Sequence, residues 1–233
     1  MDFSDEPKDD GGDLTLAIES VAAHPEPDGN LRVMVKTTRG EIRGVLHPCA
    51  TQPAACIYVG GAMGGLQGPA NDIYQRLADR LKPRMTGLRI HYRFPGEFEE
   101  CVMDVLAGVS LLRGLGATGG IALVGHSFGG AVVIKSGELS PAVAGVAALS
   151  SQLYGTSTVD RLQKPLLLVH GMRDAILDHA ASEDIHRRAS EPKRLVLYAE
   201  DDHMLTHSAQ QLEDLLADFL TRTVATIPGP SLN

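Results

Sequence analysis

Cysteine is scarce in this 233-residue chain, and its three copies, Cys49, Cys56 and Cys101, are too few and too irregularly spaced for a disulfide framework or a zinc site. That excludes the small disulfide-stapled folds and fits a reducing compartment. Cys56 lies in an apolar run and Cys101 in a helix-period segment, where a thiol serves as a packing residue. Long hydrophobic runs are also missing: no stretch approaches the roughly 18 apolar residues that a membrane-spanning helix needs. The acidic N-terminus lacks the basic-then-apolar order of a secretory leader, so the chain reads as soluble, not exported and cytoplasmic. Positive charge is in deficit, with 21 Lys and Arg against 29 Asp and Glu and a formal charge of −8. Such a chain repels a polyanion, and nucleic acid is not expected as a partner.

What is present is ordinary globular material, 43% apolar and 21% charged, which sets aside disorder and collagen-like repeats. The length suits one domain with a full core. Residues 1–13, mostly acids and glycines, are expected as a solvated tail, 14–222 as the folded domain, and 223–233 as a C-terminal tail. Strand-like content occurs at 14–21, 31–36 and 41–46, with a hairpin turn at Thr38-Arg39-Gly40 between the last two.

From residue 54 onward, short apolar runs alternate with longer amphipathic segments, the signature of βαβ units and a mostly parallel sheet. The runs are 55–59, 86–91, 121–124, 143–149, 166–169 and 195–198, and their near-continuous Val, Ile, Leu and Ala suit strands covered on both faces. Helix-period segments are 71–81, 97–115, 127–138, 179–189 and 206–220. In the last, Leu212, Leu215, Leu216, Phe219 and Leu220 make one stripe that should close over the sheet.

The most informative segment is GIALVGHSFGG at 120–130, where an apolar strand runs into Gly125-His126-Ser127-Phe128-Gly129 and a helical pattern follows at once. This is G-x-S-x-G in strand-turn-helix context. A serine on so tight a turn adopts unfavourable dihedrals, and small residues two before and two after it keep neighbouring chain from clashing. The helix beginning there brings the positive end of its dipole to the reacting centre. Ser127 is the candidate nucleophile.

An acyl-transfer intermediate needs two N–H donors for its oxyanion. One is the N–H of Phe128, directly after the serine. The other falls in Gly60-Gly61-Ala62-Met63-Gly64-Gly65, after the strand at 55–59: Ala62, or Met63 if the register differs by one. The glycines match neither G-x-G-x-x-G nor a P-loop, so a phosphate or dinucleotide site is not indicated.

A serine hydroxyl also needs a base, and the base needs a carboxylate to fix its tautomer. Asp174, in His170-Gly171-Met172-Arg173-Asp174, lies just past the end of a parallel strand, the edge where open α/β sheets bind ligands. Asp178 is the rival and is better explained as a helix cap, while His170 reads as a satisfied structural histidine. His203 falls in the loop before the last helix, on the same edge. His207 is its competitor and reads as a surface residue of that helix. Asp201, His203 and His207 lack a zinc-helix spacing, so no metal is expected.

Taken together, GHSFGG at 125–130, VHGMRD at 169–174 and DDHML at 201–205 resemble the nucleophile elbow, acid loop and histidine loop of the α/β-hydrolase superfamily, over roughly residues 30–222. The resemblance implies an α/β fold with a central, mostly parallel sheet of about eight strands and helices on both faces. It also implies a hydrolase that needs no metal or cofactor. Two departures stand out: the oxyanion loop begins Gly60-Gly61 where many relatives have His-Gly, and only residues 151–165 separate the strand at 143–149 from the acid strand, where many relatives insert a cap. The chain is similar to lidless members, the dienelactone-hydrolase-like proteins and small carboxylesterases, with serine where the dienelactone type has cysteine. The expected substrate is a small acyl ester reached through a shallow site, with Met63, Leu66, Phe94, Tyr154 and Ile176 as candidate lining residues. Thioester or amide cleavage would use the same groups, whereas a binding module without turnover would not need all three.

Overall fold

The computed structural model describes residues 15–51 and 53–225, so the tail expected at 1–13 and residues 226–233 of the tail expected at 223–233 lie outside the described residues. Among the described residues nine strands form one sheet in the order β1-β2-β3-β5-β4-β6-β7-β8-β9. β1 (Ile18–Pro25), β2 (Leu31–Thr37) and β3 (Gly40–His47) run antiparallel, and β3 pairs antiparallel with β5 (Thr86–His91). β4 (Ala55–Val59), β5, β6 (Ile121–His126), β7 (Val143–Leu149), β8 (Leu166–Gly171) and β9 (Lys193–Tyr198) are all parallel. Every residue of β4, β6, β7 and β8 is buried, as continuous aliphatic strands between two helical layers must be.

Each face of the sheet carries its own core. On one, Ile57, Val59, Leu123 and Ala148 meet α2 (Phe98–Gly114) and α3 (Phe128–Leu139), with Ile185 of α4 (Ala180–Arg188) completing the layer. On the other, Cys56, Tyr58, Val124 and Leu149 meet α1 (Pro69–Leu81) and α5 (Ala209–Ala225), whose Leu212, Leu216 and Leu220 are fully buried along the expected stripe. Between β7 and β8 there is only a single 3₁₀ turn, Val159–Arg161, so the sheet edge is lidless.

Several boundaries differ from the sequence reading, and in three elements the cause is visible. β1 lies four residues later than 14–21, because antiparallel pairing sets Pro25 opposite Leu31 and an edge strand needs little apolar content. α1 begins at Pro69, and Ala70, Asn71 and Asp72 have left-handed dihedrals with φ of 51°, 58° and 61°. Ala70 N–H donates to Met204 O at 2.7 Å, and the Arg76 guanidinium donates to the carbonyls of Ala70 and Asn71. α5 starts at Ala209 because Asp201 takes the N–H and hydroxyl of Ser208. It continues to Ala225, past 222, with Thr223 packed on Gly145.

Candidate active site

β6 ends at His126 and α3 begins at Phe128, so Ser127 alone makes the turn, at φ 58° and ψ −121°. A left-handed φ costs a non-glycine residue about 1–2 kcal/mol and persists only where the surroundings over-determine it. Here the Ser127 N–H donates to Leu149 O at 2.8 Å, and its carbonyl accepts from the N–H of Gly130 at 3.0 Å and of Gln152 at 3.3 Å. Gly125 and Gly129 give the turn its room: a Cβ on Gly125 would collide with the Gly129 carbonyl, and one on Gly129 with the Gly60 carbonyl. Ser127 is half-buried, at the N-terminal end of α3.

The glycine loop after β4 passes beside this elbow. Gly64 N–H donates to Gly61 O at 2.9 Å, closing a turn with Ala62 and Met63 at its exposed tip. A Cβ built on Gly61 would lie 3.9 Å from Ser127 Oγ. Having few side chains of its own, the loop is held from outside. The Tyr74 hydroxyl donates to Val59 O at 2.8 Å and the Tyr92 hydroxyl to Gly60 O at 3.4 Å. His91 Nδ1 accepts the Gly65 N–H at 2.9 Å, and Arg89 donates to Leu66 O at 3.3 Å. Arg89 Nε in turn donates to His47 Nε2 at 3.0 Å, and His47 Nδ1 lies 2.7 Å from Asp79 Oδ1. Burial pushes the pKa of both Arg89 and His47 down, so His47 stays neutral and accepts from the guanidinium.

Asp174 follows β8, His203 follows β9, and the two loops are in backbone contact. A Cβ on Gly171 would lie 2.5 Å from Asp202 O, and Arg173 N–H donates to Asp201 O at 2.9 Å. Asp174 Oδ2 lies 2.7 Å from His203 Nδ1, and Oδ1 accepts the N–H groups of Ile176 and Leu177, each at 2.8 Å. Burial of the carboxyl raises its pKa, yet the Leu177 N–H, His203 and the Ile176 N–H together outweigh this and hold it below the ordinary carboxylate value. It is therefore an anion aimed at an imidazole.

Two further histidines complete the cluster. His126 Nε2 lies 2.9 Å from His203 O, with ring centroids 4.7 Å apart. Burial lowers the His126 pKa to about 4, so the ring is neutral and must carry its hydrogen on Nε2 to donate to a carbonyl. Through it, the residue beside Ser127 is tied to the backbone of His203. His170, read from sequence as structural, is fully buried and its Nε2 lies 3.0 Å from Asp174 Oδ2.

The rivals have other employment. Asp178 Oδ1 accepts the Ala180 N–H at 2.9 Å, capping α4. His207 is exposed, in the turn before α5 and not within the helix. Asp201 is bonded to Ser208, and among the described residues no three His, Cys, Asp or Glu side chains are placed to hold a metal ion together. Burial pushes the thiols of Cys56 and Cys101 up to about 12, which leaves them inert packing groups.

Met63 and Leu66 follow β4, Phe94 follows β5, Tyr154 follows β7 and Ile176 follows β8, all on the edge that carries Ser127. Met63 is 90%, Ile176 70% and Tyr154 68% exposed. Leu153, Met172 and Met204, which the sequence reading missed, extend this apolar rim. Phe98 stands edge-on to Phe128 at 5.9 Å and to Tyr154 at 5.5 Å. Beside that pair, a cleft of about 750 Å³ opens toward Lys135 and Arg188.

The architecture is shared with solved structures of low identity. Est1E from Butyrivibrio proteoclasticus has a TM-score of 0.73 at 16% identity over 84% of this chain and 99% of its own. XC6422 from Xanthomonas campestris, an α/β serine hydrolase without lid, has 0.71 at 19% identity over 88% and 100%. Acetyl xylan esterase 1 from Thermoanaerobacterium sp. JW/SL YS485 has 0.71 at 10% identity over 89% and 88%. Among curated proteins, none matches the sequence. Among the described residues no helix is long and apolar enough to cross a membrane. The family profile of the dienelactone hydrolases matches residues 64–219, which take in the elbow, the acid loop and the histidine loop, and the chain thus belongs to the dienelactone hydrolase family, on a lidless α/β-hydrolase fold.

Proposed function

We propose that this protein is a serine hydrolase that cleaves carboxylic esters through an acyl-enzyme intermediate. Ser127 Oγ attacks the carbonyl carbon while His203 takes its proton on Nε2, the nitrogen not bonded to Asp174. Asp174 keeps the hydrogen on Nδ1 and stabilises the imidazolium. The oxyanion is held by the N–H of Phe128 and the N–H of Ala62, with Met63 as the alternative donor. His203 then returns the proton to the leaving alcohol, and water, activated by the same imidazole, releases the acid.

The observation that carries this reading is the 2.7 Å contact between Asp174 Oδ2 and His203 Nδ1, on the sheet edge that also carries a serine in left-handed backbone geometry. A carboxylate held as an anion against Nδ1 fixes the tautomer of the imidazole and favours the imidazolium that forms as a serine attacks. Without a cap over the edge, accessible esters fit, and the rim of Met63, Phe94, Tyr154 and Ile176 favours an apolar acyl or alcohol group. Matched ester, thioester and anilide substrates test the assignment. The ester is expected to turn over fastest, with Ser127→Ala and His203→Ala each losing at least about 10³-fold in kcat. Equal ester turnover in Ser127→Ala would refute it, and a faster thioester or anilide would change the substrate class while leaving the three residues in place.

A further inference from the structure

Asp174 Oδ2 accepts from two imidazoles, His203 at 2.7 Å and His170 at 3.0 Å. We propose that His170 is a positioning residue for the reaction: its N–H fixes the plane of the Asp174 carboxylate and takes up part of its charge, and so sets how strongly that carboxylate holds His203. This rests on the triad reading above and deepens it.

His170 Nε2 lies 3.0 Å from Leu177 O as well as from Asp174. Both partners are acceptors, so this nitrogen carries the hydrogen. Nδ1 lies 2.7 Å from the hydroxyl of Ser182 on α4, which donates to the neutral ring. Burial holds the His170 pKa below its ordinary value, so the ring remains a neutral donor. With the Ile176 and Leu177 N–H groups on Oδ1, every face of the carboxylate is occupied. A histidine that only filled space could satisfy Nε2 with the Leu177 carbonyl alone.

A carboxylate oxygen that shares its charge with a second N–H attracts an imidazolium less strongly. Removing the His170 donor therefore tightens the grip of Asp174 on protonated His203, and the base is freed only at higher pH. The other charged or titratable groups around the cluster have their own partners. From β6, His126 bonds the His203 carbonyl. In the two loops, Arg173 pairs with Glu200 at 2.5 Å, Asp201 with Ser208, and Asp202 accepts the Met204 N–H. At α4, Asp178 caps the helix beside His179. All of these stay when His170 is replaced.

The test is the pH profile of kcat/KM for an ester in wild type, His170→Leu and His170→Gln. Glutamine can return an N–H donor and leucine cannot. In His170→Leu the acid limb is expected to move to higher pH by about half to one unit with KM little changed, and in His170→Gln to lie nearer wild type. Variants that fold and lose only thermal stability, with the limb unmoved, overturn the inference. If His170→Leu does not fold, Ser182→Ala weakens the donor and should give a smaller move in the same direction; no move there is equally fatal. Should the wild type prove to have no esterase activity, the triad reading fails separately. The NMR titration of the His203 Cε1 proton in the same variants then still decides whether His170 acts on Asp174.

Discussion

Gly129 lies so close to Gly60 that a methyl group on it would collide with the Gly60 carbonyl oxygen. The helix carrying one proposed oxyanion donor and the loop carrying the other are therefore in backbone contact, and two residues without side chains set the separation of Phe128 from Ala62. Gly129→Ala is expected to push the loop outward. Losing one oxyanion donor costs about 10²–10³ in kcat, and steady-state kinetics should find a loss of that order with a smaller change in KM. Gly114→Ala, where an added Cβ meets nothing within 4 Å, should leave the rate unchanged.

Asp174→Asn keeps the shape of the side chain and removes the charge that selects the Nδ1–H tautomer of His203. A fall in kcat of about 10³–10⁴ is expected. Asp178→Asn, altering only the α4 cap, should leave turnover within about twofold, since a cap is worth about 1 kcal/mol of stability and no chemistry. Comparable losses in both would show that Asp174 is not the orienting acid.

His126 is buried, with a pKa lowered to about 4 from the ordinary 6.5. Between those values the unfolded chain binds a proton that the folded chain excludes. The stability conferred by the neutral ring is thus fully present above about 6.5 and lost as pH falls toward 4, on the order of 3 kcal/mol over that window. Burial lowers His47 and His170 as well, with the same sign. Urea midpoints should fall steadily from pH 6.5 to 4.5, and less steeply in His126→Asn. Midpoints that stay constant over this range would count against a neutral buried cluster.

Arg93 and Asp104, at 1% and 0% side-chain exposure, are joined through the Arg93 guanidinium, and the Arg93 N–H also donates to Asp104 at 2.8 Å. This pair fixes the end of β5 to α2, behind the glycine loop. Asp104→Ala strands a buried cation and should cost about 3 kcal/mol, near the lower end for a broken buried pair, because Glu100 still meets Arg93 at 2.8 Å. Chemical denaturation measures it, and a loss below about 1 kcal/mol, typical of exposed pairs, would mean the two are solvated.

The layered fold was legible because aliphatic runs such as 55–59, 86–91 and 143–149 must be strands covered on both faces, and the structure begins and ends them at those residues. The left-handed turn at Ala70–Asp72 was not legible: none of the three is glycine, and what pins them is Arg76 together with Met204 on a loop distant in sequence. The same division holds at the site. Ser127, Asp174 and His203 stand in local motifs that make them candidates from the sequence alone. The tasks of His126, His170, His91 and Arg89 depend on which loop each imidazole or guanidinium meets after folding, and no local pattern encodes that. His170, four residues before Asp174, was the nearest to a readable signal.

The most direct measurement is covalent labelling with a fluorophosphonate followed by peptide mapping, in wild type, Ser127→Ala and His203→Ala. One adduct on the peptide carrying Ser127 is expected, absent in Ser127→Ala and formed far more slowly in His203→Ala. Adduct formation at another residue, or labelling of Ser127→Ala at the wild-type rate, would contradict the account.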